Sequence, residues 1–202
     1  MIRMKLALLF PLRKKAKRNI TTFALLLGCL SSVGWAGAPP RTERRKLAQP
    51  AEIQGYPCAK GYAWFYTDGK LQRCIVSQET QFGEALVPIG SIIDLKPDGS
   101  RDGVQMARST RIHDVLCDGG GFLGPAEGAW VGFYPSGKLK GCYLVGNQDV
   151  QGVPCAHGGF FASLTGPDPG TNFYESGSLH SCRLSRDFNG QKKNTTWKQA
   201  EK

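Results

Sequence analysis

Two short stretches carry residue types that bind metal or form cross-links: Cys155-Ala-His157 and His180-Ser-Cys182. On a β-strand residues i and i+2 share a face, so these four side chains could offer two thiolates and two imidazoles to a tetrahedral zinc ion. The same cysteines could instead be oxidised to a disulfide. Around Cys58 and Cys74 the corresponding positions are Lys60 and Gln72, which are not standard zinc ligands. The ligand pattern therefore does not recur with the cysteines, and no metal is expected. Asp94, Asp98 and Asp102 lack the alternate-residue spacing of a calcium loop and read as a solvated acidic turn. Gly119-Gly-Gly-Phe-Leu-Gly124 matches GxGxxG literally, but Pro125 follows it and no βαβ pattern surrounds it. His113 reads as a loop residue. No catalytic residue and no cofactor is assigned.

The elements that must position the cysteines emerge from self-similarity. Three segments align without gaps: Phe65-Tyr-Thr-Asp-Gly-Lys-Leu-Gln-Arg-Cys74, Phe133-Tyr-Pro-Ser-Gly-Lys-Leu-Lys-Gly-Cys142 and Phe173-Tyr-Glu-Ser-Gly-Ser-Leu-His-Ser-Cys182. A degraded fourth copy is Leu95-Lys-Pro-Asp-Gly-Ser100. The turn glycines Gly69, Gly99, Gly137 and Gly177 lie 30, 38 and 40 residues apart. Upstream stands a second signature, Ile53-Gln-Gly-Tyr-Pro-Cys58, Ile112-His-Asp-Val-Leu-Cys117 and Val150-Gln-Gly-Val-Pro-Cys155. Each unit reads as a β-hairpin with glycine supplying the positive φ of its turn. A lone hairpin is marginal in water, so four units are expected to stack into a single antiparallel sheet. The fold class is all-β.

Six cysteines, Cys58, Cys74, Cys117, Cys142, Cys155 and Cys182, fall two per unit in units one, three and four. Unit two lacks both, with Pro88 and Val104 at the corresponding counts. Joint loss points to pairing inside each unit: Cys58–Cys74, Cys117–Cys142 and Cys155–Cys182. Each closed loop would contribute about 3 kcal/mol on the chain-entropy model. If the turns are two residues long, Tyr66/Leu71, Tyr134/Leu139 and Tyr174/Leu179 are cross-strand pairs on one face. Phe65, Phe133 and Phe173 then lie on the other face, in phase with Cys74, Cys142 and Cys182. The Phe/Cys face is then the stapled core and the Tyr/Leu stripe a binding face, or the reverse; alternatively both faces are structural.

The chain has 202 residues and a formal net charge of +10. Residues 1–46 hold eleven Lys/Arg against the single acid Glu43, so they account for the whole excess. The body is slightly acidic, which argues against a nucleic-acid partner. The run Arg13-Lys-Lys-Ala-Lys-Arg18, followed by the short apolar stretch from Phe23 to Ala38, reads as a secretory signal. Two cleavage readings compete. Leu26-Leu-Gly-Cys29 resembles a lipobox, giving a signal of 1–28 and a lipid on Cys29; Gly34-Trp-Ala36 resembles an ordinary cleavage site, giving 1–36. Residues 37–50 read as a linker, 51–190 as the repeat domain and 191–202 as a flexible tail. The expected location is the periplasm, or the outer membrane of a Gram-negative cell through the Cys29 lipid. Disulfides suit such an oxidising compartment.

The core Phe-Tyr-x-x-Gly-Lys-Leu-x-x-Cys resembles the MORN repeat (membrane occupation and recognition nexus) in its bacterial variant form: an aromatic pair, a turn with Asn/Asp/Ser-Gly, then Lys-Leu. The likeness covers the hairpin core of each unit and not the Ile-x-Gly-x-x-Cys part. It implies a hairpin-stacking sheet used for binding or scaffolding, with a protein or envelope component as partner and no catalytic centre. Variant MORN repeats also occur in toxin–antitoxin systems, so a toxin-neutralising partner is one alternative. A small secreted enzyme with an unrecognised site is another.

Overall fold

The structure, a computed structural model, describes residues 41–120, 130–158 and 170–199. The signal segment, Cys29 and most of the 119–124 glycine run lie outside these residues. Four long hairpins carry the aligned motifs: β4 Gly61–Tyr66 with β5 Leu71–Ile75, β8 Ile92–Leu95 with β9 Arg101–Gln105, β12 Trp130–Phe133 with β13 Leu139–Cys142, and β16 Thr171–Phe173 with β17 Leu179–Arg183. With β1 Thr42–Leu47 and β18 Thr196–Lys198 they form one ten-stranded antiparallel sheet, ordered β1-β4-β5-β8-β9-β12-β13-β16-β17-β18. The upstream signature is a second, short hairpin in every unit: β2 Ala51–Ile53 with β3 Tyr56–Cys58, β6 Thr80–Phe82 with β7 Ala85–Val87, β10 Thr110–Ile112 with β11 Val115–Cys117, and β14 Gln148–Val150 with β15 Val153–Cys155. Each repeat is therefore two hairpins.

The long turns have three residues, not two. The Tyr66 N–H donates to the Lys70 carbonyl at 2.8 Å and the Gly69 N–H to the Tyr66 carbonyl at 2.9 Å, and the other three turns repeat this pattern. The third loop residue takes φ of +85°, +85°, +89° and +86° at Gly69, Gly99, Gly137 and Gly177, the left-handed conformation that follows a type I turn in such loops. A register shift follows in each hairpin. Phe65 faces Leu71 while Trp64 faces Arg73, so Gln72 is an extra residue; Asp102, Lys140 and His180 are its counterparts. This bulge keeps Leu71 and Cys74, three apart, on the same face.

That face is the core. Phe65, Leu71, Cys74, Ile93, Leu95, Val104, Phe133, Leu139, Phe173 and Leu179 from the sheet are buried together with Phe82, Ala85, Ile112, Val115, Val150 and Val153 from the short hairpins. Three disulfides lock short hairpin to long: Cys58–Cys74, Cys117–Cys142 and Cys155–Cys182, with Cα–Cα distances of 5.7, 5.7 and 5.6 Å. In repeat two the strand residue equivalent to Cys58 is Val87, one before Pro88. Val87 and Val104 are both fully buried, so an apolar pair stands at the cystine positions.

Two boundaries differ from expectation. Within the proposed linker, Thr42–Leu47 is a strand pairing with all of β4. It has no apolar face to announce it; Arg44 lies 4.3 Å from the Tyr62 ring centre and Arg45 4.7 Å from that of Phe65, so cation–π contacts accompany the ladder. Within the proposed tail, Thr196–Lys198 pairs with β17 and Trp197 packs on the core.

Candidate functional site

The three-residue turns and bulges separate the expected Tyr/Leu stripe. Leu71, Leu139 and Leu179 sit in the core at 0, 5 and 1% exposure, while the tyrosines project from the opposite, outer face of the sheet. Two of them bridge repeats. Tyr66 Oη donates to the Leu95 carbonyl at 2.8 Å, and Tyr134 Oη to the Phe173 carbonyl at 2.9 Å. Leu95 and Phe173 hold the same motif position in the next repeat. Burial, then the acids Asp102 and Asp94, push the Tyr66 phenol above its ordinary pKa and keep it a donor. Tyr174, in the last of the four long hairpins, packs edge-on against His180, ring centres 4.6 Å apart.

Among the described residues, the short hairpins all pack on the core face and none covers the outer one. Strand register places one residue from each of the ten strands in an unbroken row across it: Arg44, Trp64, Arg73, Asp94, Gly103, Gly132, Gly141, Asn172, Ser181 and Lys198. Three adjacent glycines make a floor. A Cβ on Gly103 would lie 2.2 Å from the Trp130 ring, and one on Gly141 would lie 2.7 Å from Asn172 Oδ1, so the indole and the amide rest on backbone where side chains are missing. A cavity of about 210 Å³ lies over this floor, walled by Asp102, Trp130, Lys140 and Tyr143. It adjoins a second of about 360 Å³ lined by Tyr134, His180 and Lys198; Lys140 and Asn172 line both. Beside the floor, Asp94 Oδ1 accepts from Arg73 Nε at 2.5 Å while its Oδ2 is buried without a partner. Burial outweighs the guanidinium and holds this carboxyl above the usual aspartate range.

A larger cavity, about 410 Å³, opens at the hairpin tips of repeats three and four. It arises where the repeat breaks its own pattern. In repeats one and four the first residue of the short turn, Gln54 or Gln151, accepts from its own long hairpin, at Leu71 N or Leu179 N. In repeat three the equivalent residue is His113, and Glu84 of repeat two takes the Leu139 N–H instead at 3.0 Å. Backbone contact sets this up: a Cβ on Gly83 would lie 2.2 Å from the Gly137 carbonyl oxygen. Glu84 also meets His113 Nε2 at 3.1 Å and Lys138 Nζ at 3.0 Å. Burial alone would raise its pKa; the Leu139, Lys138 and His113 hydrogen bonds outweigh that and lower it. Both carboxylate oxygens are occupied, so the cluster clamps repeat two to repeat three and is not an acid–base pair awaiting a substrate.

The other sequence candidates are dispersed. The sulfurs of Cys155 and Cys182 are bonded to each other, and His157 accepts from Arg183 through its backbone carbonyl at 3.0 Å. Asp98 accepts from Ser100 N at 2.8 Å, Asp102 lies 4.0 Å from Lys96, and Asp94 holds Arg73. The glycine trough was not visible to sequence reasoning, because its members come from three strands and meet only through register. No family model matches the chain, and no curated protein or solved structure matches it.

Proposed function

We propose that this is an exported binding or scaffold protein of the bacterial envelope, built from MORN-like repeats, with its target held on the outer face of the sheet. The observation that carries the reading is the asymmetry of the sheet. One face is packed under short hairpins and locked by three cystines; the other is left with a row of aromatic, charged and glycine positions. Three disulfides fit an oxidising compartment, in line with the signal-like first 28 or 36 residues. Lipid on Cys29 would tether the repeat domain to a membrane, and cleavage after Ala36 would release it. The Glu84 cluster at the hairpin tips spends both carboxylate oxygens on its own neighbours, which favours binding over catalysis.

Cell fractionation with intact-mass analysis, with and without reduction, tests this. The expected result is an envelope fraction holding a processed chain whose six cysteines become alkylatable only after reduction. A cytoplasmic, unprocessed chain with seven free thiols would overturn the reading.

A further inference from the structure

Charge is distributed unevenly over the fold. Most described cations away from the outer face are paired, as in Lys70–Asp68, Arg108–Glu79 and Arg186–Asp149. On the outer face, the register and cavity linings place Arg44, Lys46, Lys140 and Lys198, none of them with an acidic partner among the described residues. The acids there are spoken for: Asp94 by Arg73 and Asp102 by Lys96. Thus an acidic body carries a basic face. The two joined cavities cross the strands from Trp130 on β12 to Lys198 on β18, about 19 Å at ~4.8 Å per strand step. They offer flat rings, ammonium groups and the His180 imidazole along one path.

We propose that this trough binds an anionic glycan, with sugar rings lying on Trp130 and Tyr134 and carboxylate or phosphate substituents meeting Lys140 and Lys198. The assignment rests on the outer face being the binding face. Sugar rings present apolar C–H faces to aromatic side chains. The glycine floor lets the Trp130 indole lie down against the sheet. A nucleic acid fits less well: closely spaced phosphates would pass Asp94 and Asp102, and the cystines mark a compartment in which nucleic acid is not the resident polymer.

Affinity electrophoresis of the oxidised full chain tests this, with polygalacturonate as the carboxylated probe, dextran as the neutral one and oligo-dT as the phosphate polymer. Retardation is expected in polygalacturonate and not in dextran. Lys140→Ala with Lys198→Ala should weaken it about tenfold, the loss of two charge-assisted contacts. Trp130→Ala should weaken it as well, read only if the variant melts cooperatively; Arg111→Ala, exposed on a short hairpin of the other layer, should leave it unchanged. Equal retardation in dextran, tighter binding of oligo-dT, or wild-type binding by the double lysine variant would each overturn the assignment. A cross-linked, exported protein that ignores all three polymers would sink the glycan while leaving the envelope reading intact.

Discussion

Removing one oxygen from each of three tyrosines separates a structural rivet from a surface ornament. Tyr66, Tyr134 and Tyr174 hold the same position in their repeats, yet their hydroxyls have different fates. Tyr66 is 6% exposed and its Oη reaches the Leu95 carbonyl; Tyr134 makes the matching bond from a half-buried site; Tyr174 makes no such bond among the described residues. A neutral hydrogen bond contributes about 0.5–1.5 kcal/mol net, and an acceptor left buried and unpaired costs about 1–3 kcal/mol. Tyr66→Phe should therefore cost about 1–2 kcal/mol. Tyr134→Phe, where water can reach the freed carbonyl, should cost about 0.5–1 kcal/mol, and Tyr174→Phe close to nothing. In a domain of this size 1 kcal/mol moves Tm by about 2–4 °C, so the series should spread over roughly 5 °C in calorimetry of the oxidised protein. Equal costs at Tyr66 and Tyr174 would refute the inter-repeat role, as would a Tyr66→Phe protein as stable as wild type.

Three further outcomes follow from the same geometry. Val87→Cys with Val104→Cys should form a fourth cystine, seen as a loss of two hydrogen atoms by mass on air oxidation, and should add about 3 kcal/mol in urea melts. Glu84→Gln should cost about 0.5–1 kcal/mol at neutral pH through its lost ion pairs. Because the Glu84 pKa is lowered by folding, its contribution is present above the ordinary glutamate range and lost as pH falls through the folded value. The variant should therefore converge with wild type in acid, and a gap that persists in acid would contradict the clamp. Asp94 runs the other way. Its pKa is raised, so its contribution is full below the ordinary aspartate range and is lost as pH rises through the folded value. Asp94→Asn should gain on wild type between acid and neutral pH in urea melts; a constant difference would show that the burial is compensated.

Much of the fold was legible because the long hairpins combine three cues: an aromatic pair, a positive-φ glycine and a cysteine at fixed distance. The cystine pairing was legible for a related reason, since repeat two lost both positions together. The short hairpins were visible as motifs but not as hairpins. Their strands are three residues long, and Gln54-Gly55 and Gln151-Gly152 are weaker turn signals than Asn-Gly. The bulge could have been found: Leu71 and Cys74 differ by an odd number, so a regular strand cannot bury both. Missing it placed Leu71, Leu139 and Leu179 on the wrong face. β1 carried no apolar signal because the edge of β4 orders it, not a core face. The trough needed the register of six strands, which no local pattern encodes.

The cystines also have a mechanical meaning. A chain drawn from its two ends lengthens only through segments that no covalent loop closes. Residues 58–74, 117–142 and 155–182 are such loops and stay short under load. Between the first and second loops runs the unclosed stretch 75–116, which contains all of repeat two and would extend by up to about 140 Å if unravelled. Repeat two is thus the longest run of the array between cystine loops that load can draw out, while the closed loops on either side of it stay short.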